Sequence, residues 1–332
     1  MRILLFSYRY APGVGGMETI AVVLVRQWLR DGHDVTVITH QPDAGTDTDR
    51  PPRLLRQPSV WRMWREARAA DVVVHSHVWV RAQVPAWLSR RPWVIAVHGW
   101  FGDDRASERV KAASLRMTRV IAPSGAVAWH VRHSRPTVVP NCYDAEVFSK
   151  RYDVPRDDGA VFVGRLVGQK GIDMAIDAVA AIDDLTLTIV GDGPDRAALV
   201  EQAERLGVAD RVRFTGVLQG AALAEELNRH EVLVAPSRYG EAFGISVLEG
   251  IACGCVAVAT ADGGLPDAVG HCGVTFPNND LDALVAALQS VRTPETRERL
   301  RAAAPRHLAR HSPQHVANAY LDVARGIAVT PP

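Results

Sequence analysis

Four short segments combine residue types that could handle a phosphorylated, hydroxyl-rich ligand. The first is Ala11-Pro-Gly-Val-Gly-Gly-Met-Glu18, a glycine-rich turn opening a helix, where free backbone amides and the helix dipole favour an anion, with Gly15 and Gly16 at the docking point. A nicotinamide fingerprint competes for these residues, but the third glycine is missing and the second strand ends at Thr39-His40 rather than at an acidic ribose ligand. A turn that needs glycine for backbone reasons alone is the other alternative. The second segment, Gly164-Arg165-Leu-Val-Gly-Gln-Lys170-Gly171, sets a planar guanidinium and a point ammonium five residues apart, a spacing able to straddle a diphosphate. Only three of the 38 basic residues are lysine, so Lys170 is an unusual choice. The third segment is Glu241-Ala-Phe-Gly-Ile-Ser-Val-Leu-Glu249. On a continuous helix its two carboxylates would differ by about 12 Å of rise and about 80° of rotation, so both would line one groove; two solvated helix glutamates are the plain alternative. Fourth, His75, His77 and His98 stand at or near strand ends, where histidines are often merely packed. His75 and His77 alternate faces of a strand and do not chelate one metal easily. The acidic pair Asp47 and Asp49 lies in a polar loop, and no metal site is expected.

The elements that must position these residues follow from apolar patterning. Short β-rich runs alternate with helical stretches from end to end, the pattern of βαβ units and parallel sheets covered on both faces. Strands are expected at 2–7, 34–39, 71–75, 93–98, 119–122 and 137–139, and a second series at 160–164, 186–190, 212–215, 232–235, 255–259 and 274–276. Helices are expected over 18–30, 124–133 and 313–327. The polar stretch 144–158 separates the series, which predicts domains at 1–150 and 151–312 and a terminal helix within 313–332 that crosses back to the first domain. Each candidate segment then falls just after a strand, where ligands of such sheets bind.

Composition excludes several classes. With 332 residues, 47% hydrophobic and 23% charged, the chain is long enough for two cores. No apolar run approaches the roughly 18 residues of a membrane span, and MRILLFSYRY is too quickly polar for a signal peptide, so a cytoplasmic protein is expected. Four cysteines without a CxxC pair support neither a disulfide framework nor a zinc ribbon. The net charge of +1 divides into +8 for residues 1–150 (21 Lys+Arg, 13 Asp+Glu) and −7 for the remainder (17 against 24), short of a nucleic-acid binder's charge density. The stretch Arg50 to Arg68 interleaves six arginines with Trp61, Met63 and Trp64. It reads as a helix packing its tryptophans on the sheet, with an amphipathic membrane-surface helix as the alternative.

The order and spacing of these pieces resemble the retaining glycosyltransferases of family 4 (group 1). The resemblance rests on Gly15-Gly16-Met-Glu18, Asp71-Val-Val-Val-His-Ser-His77, Val97-His98-Gly99, Val139-Pro-Asn141, Gly164-Arg165 with Lys170-Gly171, Gly191-Asp-Gly-Pro194, Phe214-Thr-Gly216 and the paired-glutamate block through Gly263-Gly264-Leu-Pro266. It implies an α/β protein of GT-B fold, two Rossmann-like doubly wound parallel-sheet domains facing across a cleft. It implies transfer of a hexosyl group, glucose or N-acetylglucosamine, from a nucleoside diphosphate sugar with uracil as the favoured base to a hydroxyl of a small-molecule or saccharide acceptor. Retention, no metal and no cofactor beyond the donor substrate are part of the expectation. Arg165 and Lys170 are similar to the diphosphate clamp, Gly16 to the backbone donor to the distal phosphate, and Glu249 to the ribose ligand. Glu241 with the backbone of Phe243, Gly244 and Ile245 matches the grip on the donor sugar, Leu218 the segment that meets the base, and His98 the histidine beside the reacting centre. Glu18, Trp100 and Phe101 are the acceptor-side candidates. Alternatives are a GDP-mannose or membrane-lipid-acceptor transferase, a sugar-nucleotide epimerase or phosphorylase of the same fold, and a silent binding module. The chain departs from the family pattern at Cys142, Ala242 and Cys255.

Overall fold

The computed structural model describes residues 1–10, 16–42, 52–101, 106–151 and 153–329. They form two compact units, Met1–Cys142 with Arg310–Pro332, and Tyr143–Ala309. The division falls at Cys142 rather than near 150 because Tyr143 and Phe148 are buried in the second unit's core.

In the first unit seven parallel strands, β1 (Arg2–Ser7), β2 (Asp34–Thr39), β3 (Arg53–Arg56), β4 (Val72–His75), β5 (Trp93–Ala96), β6 (Arg119–Ala122) and β7 (Thr137–Val138), take the order β3-β2-β1-β4-β5-β6-β7. The interior strands β4 and β5 are buried along their whole length, as continuous apolar runs in a doubly covered sheet should be. The helices Gly16–Arg30 and Pro313–Arg325 pack together, with the Trp28 indole Nε1 donating to the Ala317 carbonyl at 3.2 Å. The basic stretch is not one helix. Residues 53–56 add the edge strand β3, and Ser59 caps a ten-residue helix, Val60–Ala69, that buries Met63 and Ala67 while Trp61 is 65% exposed. Tryptophan packing on the sheet was expected; Trp61 instead stacks on Trp64 at 4.5 Å between ring centres.

The second sheet comprises β8 (Asp157–Val163), β9 (Leu187–Val190), β10 (Val212–Gly216), β11 (His230–Ala235), β12 (Val256–Thr260) and β13 (Gly273–Phe276) in the order β10-β9-β8-β11-β12-β13. Alternation along β8 sends Phe162 into a core with Ile176, Ile189 and Leu284, and Val161 into another with Leu233, Leu248 and Leu265. Strand order reverses between β1 and β4 in one sheet and between β8 and β11 in the other. At such a switch point the connections leave in opposite directions and open a crevice at the strand ends. The segment Gly164–Gly171 follows β8, and Pro236–Glu241 follows β11.

Candidate active site

The loop after β8 is built by backbone contact. Gly164 N–H donates to the Val190 carbonyl and Leu166 N–H to the Asp192 carbonyl. A Cβ on Gly191 would lie 1.8 Å from the Gly164 carbonyl oxygen, and one on Gly193 2.3 Å from that of Leu166, so the Gly191-Asp-Gly-Pro194 motif exists to let two strand-end loops touch. Arg165 leaves this loop exposed, and Lys170 closes a single 3-10 turn, Gly168–Lys170. Gly171 follows at φ +64°, where a Cβ would meet the Pro236 carbonyl oxygen at 2.1 Å.

That contact brings the β8 and β11 loops together. The Lys170 ammonium pairs with the Glu241 carboxylate, both side chains being 21% exposed, and the Ser237 hydroxyl donates to the same Glu241 oxygen at 3.1 Å. Two of the residues singled out from sequence therefore meet directly. Arg238, which sequence reasoning missed, fixes the junction: its guanidinium donates to both oxygens of Asp173 at 2.7 and 2.6 Å and to the Gly168 carbonyl at 3.0 Å. The only signal was a basic residue directly after a strand and Pro-Ser; its partner Asp173 lies 65 positions away.

Glu241 is not on the helix that carries Glu249. The helix runs Ile245–Ala252 from Gly244, whose φ of +106° interrupts it, so the helical rise and rotation expected between the glutamates do not apply. The Glu241 bend is held by the Gly263-Gly264 pair: Gly264 N–H donates to the Glu241 carbonyl at 2.9 Å, and a Cβ there would meet the Ala242 carbonyl oxygen at 2.1 Å. Phe243 is buried beneath, while Gly244 and Ile245 are partly exposed at the helix start. Glu249 is buried. Loss of water, reinforced by the nearby charge of Asp144, pushes its carboxyl pKa up to about 7. Leu218 is partly exposed two residues beyond β10, after Gly216 at φ +76°.

In the first unit, Gly16 is the exposed first residue of its helix, Glu18 is buried in the first turn, and Gly15 lies outside the described residues, as do Asp47 and Asp49. His98 follows β5, with Nε2 3.4 Å from the buried Tyr320 hydroxyl and Nδ1 out of solvent without a partner among the described residues. Burial, with the His77 charge, lowers its pKa to about 4, so the ring is neutral at pH 7. His77 is consumed by structure: Tyr8 N–H donates to its Nε2 at 3.2 Å, and Nδ1 lies 3.0 Å from the Ser76 hydroxyl. His75 is wholly buried, stacked on Phe6 at 4.6 Å. Trp100 and Phe101 gather around His130, whose Nε2 accepts from Phe101 N–H at 3.0 Å. Among the described residues no three His, Cys, Asp or Glu side chains cluster as metal ligands, and no helix is long and apolar enough to cross a membrane.

Two doubly wound parallel sheets, with basic and acidic side chains gathered at the switch point of the second, define the GT-B class of glycosyltransferase fold. Residues 148–307 match the model for glycosyl transferases group 1, and residues 14–147 that for glycosyltransferase family 4. The chain is similar to a D-inositol 3-phosphate glycosyltransferase of Stackebrandtia nassauensis, 31% identical over 318 residues covering 78% of this chain and 70% of the relative. It is also similar to a glycogen synthase of Mycobacterium tuberculosis, 29% identical over 361 residues covering 88% and 86%. Its fold matches Anabaena HepE in complex with UDP, with TM-score 0.82 at 19% identity over 98% of this chain and 100% of that one. The chain belongs to the group 1, family 4 glycosyltransferases.

Proposed function

We propose that the protein transfers a glucosyl or N-acetylglucosaminyl group from a uridine diphosphate sugar to a hydroxyl of a small-molecule or saccharide acceptor, with retention and without a metal. The reading is carried by one observation: the strand-end loops that meet at the second unit's switch point place Lys170, Glu241 and Ser237 in contact, with Arg165 on the same β8 loop. The relatives' names, one after a cyclitol phosphate and one after glycogen, support a hydroxyl-bearing acceptor.

Negative charge builds on the leaving diphosphate as the glycosidic bond lengthens. Arg165 and Lys170 are the proposed counter-charges, with the Gly16 amide on the distal phosphate; preorganised donors of this kind contribute on the order of 3 kcal/mol each to the transition state. Lys170 would exchange Glu241 for phosphate oxygens, freeing Glu241 to accept from the donor sugar's hydroxyls alongside the backbone of Phe243, Gly244 and Ile245. Glu249 would accept from the ribose hydroxyls, and Leu218 would present backbone to the base. His98, neutral, is a hydrogen-bonding group at the reacting centre rather than a cation. The leaving phosphate would take the acceptor proton in a front-face attack. Glu18, Trp100 and Phe101 stay acceptor-side candidates, with Glu18 acting through the helix whose first turn it occupies because it is buried.

The test is nucleoside diphosphate release from a panel of nucleotide sugars in the presence of a chelator, with the anomeric configuration of the product read by NMR. Uridine donors, a retained anomer and activity undiminished by chelation are expected. Inversion, or activity restored only by magnesium, would overturn the corresponding part.

A further inference from the structure

The first unit's helices divide between two faces. Val60–Ala69, Val80–Ser89, Ala106–Ser114 and Gly125–His130 each connect strands in the direction β3→β4→β5→β6→β7, so right-handed crossovers set all four on one face of the sheet; Gly16–Arg30 and Pro313–Arg325 pack together on the other. The four-helix face, with the turn after its third helix, carries most of the large apolar side chains that the described residues of the unit expose, among them Trp61 (65%), Trp87 (53%), Leu88, Val110, Met117 and Trp129 (70%). Between the second and third helices runs an apolar groove of about 330 Å3. Soluble surfaces rarely cluster so much apolar area without a partner.

Charge identifies the partner. Residues 60–135, which contain these helices, carry 13 Lys+Arg against 5 Asp+Glu, a net +8. The rest of residues 1–150 holds 8 against 8, so the whole positive excess of that half sits in this stretch. Arg65, Arg81, Arg90 and Arg116 are exposed beside the apolar residues, and two further arginines lie over tryptophan rings, Arg68 on Trp64 at 5.2 Å and Arg132 on Trp129 at 4.6 Å. Tryptophan mixed with arginine on short helices suits the boundary of an anionic bilayer, where rings enter the headgroup layer and cations meet lipid phosphates. We propose that this face is a docking surface for an anionic lipid membrane, on which the protein lies without crossing it. The proposal is independent of the transfer chemistry, since none of these residues belongs to the site described above.

The test floats the full chain with vesicles of phosphatidylcholine, alone or mixed with phosphatidylglycerol. The protein is expected to float only with the mixed vesicles, to be released by high salt, and to show a blue-shifted tryptophan emission when bound. Replacing three arginines, Arg65→Glu, Arg81→Glu and Arg116→Glu together, should lower partitioning about a hundred-fold or more, as each basic residue near an anionic surface contributes about five-fold. Trp87→Ser with Trp129→Ser should weaken binding without changing thermal unfolding or sugar transfer to water-soluble acceptors. Failure of the native protein to float, or equal flotation with neutral vesicles, would overturn the proposal. So would a concentration-dependent dimer abolished by the tryptophan changes, which would give the face to a second copy of the chain.

Discussion

The two units hold their strand-end loops in different ways. In the second unit backbone presses on backbone: a methyl group added at Gly171, Gly191, Gly193, Gly263 or Gly264 would fall within 2.4 Å of a carbonyl oxygen. In the first, Gly32 and Gly99 face nothing within 4 Å, and side chains do the fixing, His77 on Tyr8 and Ser76, His130 on Phe101, Tyr320 beside His98. Loops packed main chain on main chain hold one geometry with few demands on most of their side chains, which suits the proposed pyrophosphate. Loops locked by side chains are reshaped by substitution, which suits the proposed acceptor side.

The largest effect that would break this contrast concerns the glycines. Gly191→Ala should destabilise the chain by on the order of 4 kcal/mol, since its φ of +146° and the 1.8 Å approach leave the new methyl no room, whereas Gly99→Ala should change stability by about 0.5 kcal/mol or less. Urea unfolding of both variants checks this, and comparable midpoints would remove the distinction.

Acid should separate the units next. Burial lowers the pKa of His75 to about 3 and of His77 and His98 to about 4, below the ordinary 6.5. The unfolded first unit therefore binds more protons than the folded one in that window. Its stability is complete above about pH 6.5 and falls progressively towards pH 4. In the second unit burial works to raise the Asp157 and Glu226 carboxyls, but hydrogen bonds from His230, and from Arg213 to Glu226, outweigh it and hold both below their ordinary values. Their contribution persists above the unfolded carboxylate range and is lost only as pH falls below about 4. Hydrogen exchange at pH 7 and 5 should show protection lost first in the first unit; simultaneous loss in both would contradict it.

The smallest effect sharpens the account of the loop junction. Arg238→Gln removes the fork on Asp173 without touching Lys170, and should raise the donor KM about three- to ten-fold while leaving kcat nearly unchanged, because the pair is partly exposed. A fall in kcat of the same size would place Arg238 on the substrate.

What the sequence made legible tracks the same divide. The apolar strands and the Gly164–Gly171 loop could be read because burial on both faces and tight turns impose residue types locally. The strand β3 escaped because Arg-Leu-Leu-Arg is an edge with no fully buried residue. The helix start at Ile245 was misplaced because Gly244 was read as an ordinary helical position, whereas it takes φ +106° where a Cβ would come within 2.7 Å of Leu265, 21 residues on. The Lys170–Glu241 pair and Arg238's hold on Asp173 join positions 71 and 65 apart, contacts that neither periodicity nor local spacing encodes.

The central claim, a diphosphate held by second-unit side chains, is tested most directly by calorimetric titration of UDP into the native chain and into Lys170→Ala, both in a chelator. The account predicts binding to the native chain without added metal and an affinity at least about ten-fold lower in the variant, a hydrogen bond to a charged group contributing about 1.5–3 kcal/mol. Equal affinities, or binding that needs magnesium, would contradict it.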